Sequence, residues 1–142
     1  MAGDAPEANQ RHSRLVWDFV GRVARSVPEL KFTCLAYGSY SIPYPGMEKL
    51  PDNVVVGFCA FSNPAQNCYR DTFERFEALL ARWGALTGGN MAYWQHYLSS
   101  NRDEATVGMP EHLPGMYART IRAMARYGNH VFCEMSAPER FV

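Results

Sequence analysis

Apolar residues recur along this chain with two different periods. Over residues 13–27, Val16, Phe19, Val20, Val23 and Val27 fall at helical spacing while Arg14, Asp18, Arg22 and Arg25 take the other side, which predicts an amphipathic helix stopped by Pro28. Residues 31–37, KFTCLAY, form a short run of strand formers closed by Gly38 and Ser39. Residues 38–52 carry three prolines, two glycines and two tyrosines, which excludes a regular helix and predicts a structured loop. The clearest strand is NVVVGFCAF at 53–61, whose near-continuous apolar character requires cover on both faces, as in a parallel sheet.

The second half repeats the alternation. Residues 69–86 place Phe73, Phe76, Leu79, Leu80 and Trp83 on one helical stripe, with Gly84, Gly88 and Gly89 at its end. A third strand follows at 91–97 (MAYWQHY), then a polar loop through Pro114. A third helix spans 116–127 with Ile121, Met124 and Ala125 inward, Gly128 stops it, and HVFCEM at 130–135 is a fourth strand.

The fold class is therefore α/β, with about four parallel strands and three helices, and the spacing suits right-handed crossovers. Such a set forms a small open sheet or a partial, TIM-barrel-like (β/α) unit. Half a barrel leaves two edges and one bare face, which favours a homo-oligomer or a missing N-terminal half-barrel. Residues 1–12 are small and polar and read as a disordered tail, leaving 13–142 as a single α/β domain.

Composition narrows the partners. The 142 residues are 47% hydrophobic and 13% aromatic, enough for a packed core. Fourteen basic and fourteen acidic residues give zero formal net charge, so no single-sign field would gather nucleic acid or coat a membrane. No apolar stretch approaches the roughly 20 residues of a membrane span, and residues 1–12 show no signal peptide, which makes the cytoplasm the default compartment. Cys34, Cys59, Cys68 and Cys133 form no CxxC pair and read as buried free thiols. No metal site is expected, and neither a dinucleotide nor a nucleotide loop motif is present, so no cofactor is expected either.

In parallel α/β architectures ligands bind beyond the carboxyl ends of the strands. Those ends offer Tyr37, Tyr40 and Tyr44 after the first strand, Phe61, Ser62 and Asn63 after the second, Trp94, Gln95, His96 and Tyr97 on the third, and Glu134 on the fourth. Aromatic platforms beside amide, imidazole and carboxylate groups suit a sugar ring, whose C–H faces stack while its hydroxyls need donors and acceptors. Glu134, acidic at the end of an apolar strand, is a candidate acid, base or nucleophile, with an ion pair to an arginine as the alternative. His96 is a candidate proton-transfer group, or else a hydrogen-bonded wall residue. Glycoside hydrolysis normally uses two carboxylates, and Asp71, Asp103 and Glu104 lie on a helix or in a loop rather than at a strand end.

The stretches KFTCLAYGSYSIPYPGMEKLPDNVVVGF, MAYWQHY and GMYARTIRAMARYGNHVFCEM resemble the central-to-late part of a bacterial family, domain of unknown function 4838. Members of that family look like glycoside-hydrolase (β/α)8 barrels and often stand beside domains related to those of α-glucuronidases. The likeness runs from about Trp17 onward and implies a carbohydrate ligand, with Tyr37, Trp94, Tyr97 and Glu134 as cleft residues. It also implies that the chain corresponds to the C-terminal part of a longer barrel. Where the resemblance leads one to expect an aspartate after the strand-end tryptophan, this chain has Gln95 and His96. Three readings follow: hydrolysis of a sugar or uronic-acid glycoside, carbohydrate binding without hydrolysis, or a structural remnant that self-associates.

Overall fold

The computed structural model describes residues 6–59, 70–96 and 114–134, with the backbone alone at 95, 96 and 131–134. In chain order the elements are α1 (Glu7–Ser26), β1 (Phe32–Ala36), a single 3-10 turn (Gly38–Tyr40), β2 (Val54–Cys59), α2 (Arg70–Thr87), β3 (Met91–His96), α3 (Pro114–Tyr127) and β4 (His130–Glu134). The strands form one parallel sheet in the order β1-β2-β3-β4. The protein is thus α/β, with each strand beside its neighbour in sequence. That is the winding of consecutive strands in a (β/α) barrel, whereas a doubly wound sheet reverses its order.

All three helices pack on one face of the sheet. Register pairs Cys34 with Val56, Val56 with Met91, and Phe58 with Tyr93, and these positions join Phe73, Phe76, Leu80 and Trp83 of α2 in one core. The Phe58, Phe76 and Tyr93 rings lie 5.8 to 6.3 Å apart. Trp17 of α1 meets Trp83 of α2 edge to face at 4.7 Å, and Ala123 and Met124 bring α3 into the same cluster. As the unbroken apolar run of β2 requires, its residues are buried except for half-buried Val55.

Three expectations from periodicity shift. The first helix begins at Glu7 rather than at 13, so residues 7–12 are helical and not part of a disordered tail. Pro6 precedes the first turn, its carbonyl accepts from the Asn9 and Gln10 amides, and Glu7 pairs with Arg11 one turn on. These are local backbone and charge signals that a search for apolar spacing does not register.

The buried line of α1 is Ser13, Trp17, Gly21 and Ala24, while Phe19 stays 60% exposed. Close approach decides the rotation: the small residues bring α1 against the loop after β1, where its side chains find backbone partners. The face of α3 is rotated likewise. Met116, Thr120, Ala123 and Met124 are buried, but Ile121 and Ala125 are exposed. Here α2 and α3 press together so closely that a Cβ on Gly84 would lie 2.7 Å from the Tyr127 carbonyl oxygen. Arg119 lays its guanidinium 3.6 Å over the Phe73 ring, and Arg126 pairs with Glu77 across the same seam.

The proline-bearing loop is held down by side chains that donate to its main-chain oxygens. Ser13 Oγ donates to Ile42, Trp17 Nε1 to Tyr40, Trp83 Nε1 to Ser41 and Arg82 Nη2 to Tyr44, at 2.7 to 3.2 Å. Four loop carbonyls gain side-chain donors in this way, that of Tyr44 alongside the Met47 amide, which lets an irregular segment lie against the core. Asn53 closes the lower end of α1, its Nδ2 reaching the carbonyls of Ala24, Val27 and Leu30.

Candidate functional site

Alternation along the strands divides the sheet into two faces. Ala36, Phe58 and Tyr93 belong to the helix-covered face, so the positions between them belong to the other. Cys59 pairs with Trp94, and Trp94 with Phe132, while Tyr37 follows Ala36 just as Cys59 follows Phe58. Positions 37, 59, 94 and 132 therefore form one row across the sheet. The next position outward on β3 is His96, paired with Glu134 on β4. Adjacent strands run roughly 4.8 Å apart, so an imidazole-bearing and a carboxylate-bearing residue stand side by side at the carboxyl ends.

These placements sort the candidates. Tyr37 is 48% exposed on extended backbone immediately beyond β1, and Trp94 is half-buried. Gln95 pairs with Cys133, one step out of phase with His96, and so occupies a helix-side position of the ladder. Asn63 and Tyr97, together with Phe61 and Ser62, lie outside the described residues. Between β1 and β2 the far face is filled by Leu35, whose Cδ2 lies 2.6 Å from where a Cβ on Gly57 would be.

The other two loop tyrosines do not share that row. Tyr40 gives its carbonyl to Trp17 and meets the His12 ring edge to face at 5.4 Å. Tyr44 is buried against α1, where its hydroxyl donates to Asp18 Oδ1 at 2.5 Å. Burial, followed by the Asp18 hydrogen bond and charge, pushes the Tyr44 phenol up to about 12. The loop turns back along the helix because its carbonyls are tethered there, a set of side-chain-to-backbone bonds with no sequence signature.

Sequence reasoning also missed a pairing beside β1. His12 Nδ1 and Ser39 Oγ share a hydrogen bond of 2.5 Å at the mouth of the loop. A serine–histidine pair needs a third group to orient the imidazole, and no described side chain bonds its other nitrogen. Cys34 is a partly buried free thiol whose pKa is raised by burial, which suits packing rather than nucleophilic attack. Among the described residues no three His, Cys, Asp or Glu side chains gather as a metal site would need. No described helix is long and apolar enough to cross a membrane.

No protein-family model, no curated protein and no solved structure matches the chain. The likeness to glycoside-hydrolase-like barrels rests on the sequence stretches quoted above.

Proposed function

We propose that this protein binds carbohydrate at the carboxyl ends of its strands, on the sheet face opposite the helices. The observation that carries the reading is the row of positions 37, 59, 94 and 132 with the His96–Glu134 pair directly above it. Tyr37 and Trp94 supply aromatic faces for the C–H side of a pyranose, and His96 and Glu134 supply partners for its hydroxyls. A parallel sheet wound in sequential order places its ligand at this end.

Hydrolysis, as in a glycoside-hydrolase-like barrel, is the second reading, and the position of Glu134 at the carboxyl end of β4 favours it. In its protonated form the Glu134 carboxyl can hand a proton to a glycosidic oxygen, and in its carboxylate form it can take one from water. Retaining and inverting glycosidases normally place a second carboxylate across the bond. In this chain the neighbouring ladder position holds His96 instead, which tilts the balance to binding. The edge strands β1 and β4 would receive a second copy or the other half of a barrel.

Thermal unfolding with a panel of neutral and uronic sugars tests the binding reading. A saturable rise in Tm that disappears in Tyr37→Ala and Trp94→Ala supports it, and no rise with any sugar counts against both carbohydrate readings. Release of phenol from aryl glycosides tests hydrolysis, where a rate unchanged by Glu134→Gln removes that residue from the chemistry.

A further inference from the structure

A second depression lies away from the strand ends, on the flank of α1 along which the loop after β1 runs. Its volume is about 470 Å³, inside the roughly 300–1,000 Å³ range of small-molecule sites. Its floor is made of buried residues, Trp17, Gly21, Tyr44 and Leu50. Its rim is charged, with Arg14, Arg22 and Arg25 against Asp18 and Glu48.

Three guanidiniums face two carboxylates, and one of those carboxylates is engaged. The Asp18 carboxylate accepts the Tyr44 hydroxyl, and Arg14 sits over the Tyr44 ring with its guanidinium carbon 4.9 Å from the centroid. Arg22 donates Nε to the main-chain oxygen of Asp18. Among the described residues neither Arg22 nor Arg25 has a carboxylate within ion-pair distance. Two guanidiniums one turn apart on α1 therefore border the cavity without a direct ion pair among the described residues.

Gly21 is the second observation. It lies in the interior of a 20-residue helix, where glycine is among the poorest helix formers. No close contact demands it, because an added Cβ would first meet the Arg25 guanidinium at 3.5 Å, an ordinary contact distance. The missing side chain lets the Arg25 guanidinium fold across the floor, 3.5 to 3.8 Å from where a Cβ would stand.

We propose that this cavity binds a small organic anion, with its acid group between Arg22 and Arg25 and a compact apolar body resting on Met47 and Leu50. Planar guanidiniums suit phosphate and carboxylate alike, so the acid group is a phosphate or a carboxylate. The site is independent of the sugar-binding row.

The test is thermal unfolding of the full chain with phenyl phosphate, benzoate or benzyl alcohol at matched ionic strength. The expected result is a saturable rise in Tm with an acid probe and none with benzyl alcohol. The acid giving the larger rise identifies the head group. Arg22→Gln/Arg25→Gln, altered only at exposed helix positions, should weaken apparent affinity by at least about tenfold. Gly21→Leu should abolish the response by displacing the Arg25 guanidinium from the floor, while Glu134→Gln should leave it unchanged. Absence of any rise with both acids, or a rise that survives intact in the double arginine variant, overturns the proposal even if Gly21→Leu does not fold.

Discussion

Asn53 stands where the end of α1, the turn after it and the start of β2 meet, and its removal should be costly for a polar residue outside the main core. Its Nδ2 lies 2.9 Å from the Ala24 oxygen, 2.9 Å from the Leu30 oxygen and 3.3 Å from the Val27 oxygen. Two amide hydrogens serve three acceptors, so the longest contact shares a hydrogen and the group amounts to two full bonds. At about 1 kcal/mol net for each, plus part of the desolvation cost of carbonyls left without donors, Asn53→Ala should lose about 2–3 kcal/mol. Asn53→Asp keeps the shape but sets a carboxylate against three carbonyl oxygens at the negative end of a helix, adding about 0.5–1 kcal/mol. That aspartate would have a folded pKa above its unfolded value, so the added penalty should shrink as pH falls from neutrality toward 4. Urea denaturation at fixed m reads both variants. A loss below about 0.5 kcal/mol for Asn53→Ala, or an aspartate milder than alanine at pH 7, would refute the assigned role.

Further predictions follow from the packing. Gly84→Ala should destabilise by about 2 kcal/mol despite better helix propensity, because its Cβ would meet the Tyr127 carbonyl at 2.7 Å; equal or higher stability in urea would contradict the α2–α3 contact. Gly21→Ala, with ordinary contact at 3.5 Å, should instead stabilise by about 0.5–1 kcal/mol in the same assay. Tyr44→Phe should cost about 1 kcal/mol near neutral pH through loss of the bond to Asp18. The raised Tyr44 pKa makes its contribution complete below pH 10 and progressively lost toward about 12, so the phenylalanine variant should show a flatter alkaline stability profile.

The strands were legible because a covered parallel strand has to be apolar on both sides, and the runs around Val54–Cys59 and Met91–His96 satisfy little else. α2 was legible for the opposite reason: its stripe from Phe73 to Trp83 is apolar on one side only, and that side is the buried one. In α1 and α3 hydrophobicity placed the buried face only in part: Val20 packs on the core and Met124 is fully buried, but the centre of each face lies elsewhere. Phe19 and Ile121 looked like core, but Ser13, Gly21, Ala24 and Thr120 gain more by letting backbones approach. The carboxyl-end rule drew attention to Tyr37, Trp94, His96 and Glu134, and the strand register supplies their common face. Tyr44 and the arginine-rimmed cavity stayed hidden because long-range bonds to loop carbonyls decide where that loop lies.

Carbohydrate binding at the row of Tyr37 and Trp94 is tested most directly by calorimetric titration of the full chain with the sugar that raises its Tm furthest. Saturable binding is predicted, weakened by about tenfold or more in Trp94→Ala and in Glu134→Gln, with the urea midpoint of each variant close to that of the parent. Binding of equal strength in Tyr37→Ala, Trp94→Ala and Glu134→Gln, or no binding by the parent chain, would contradict it.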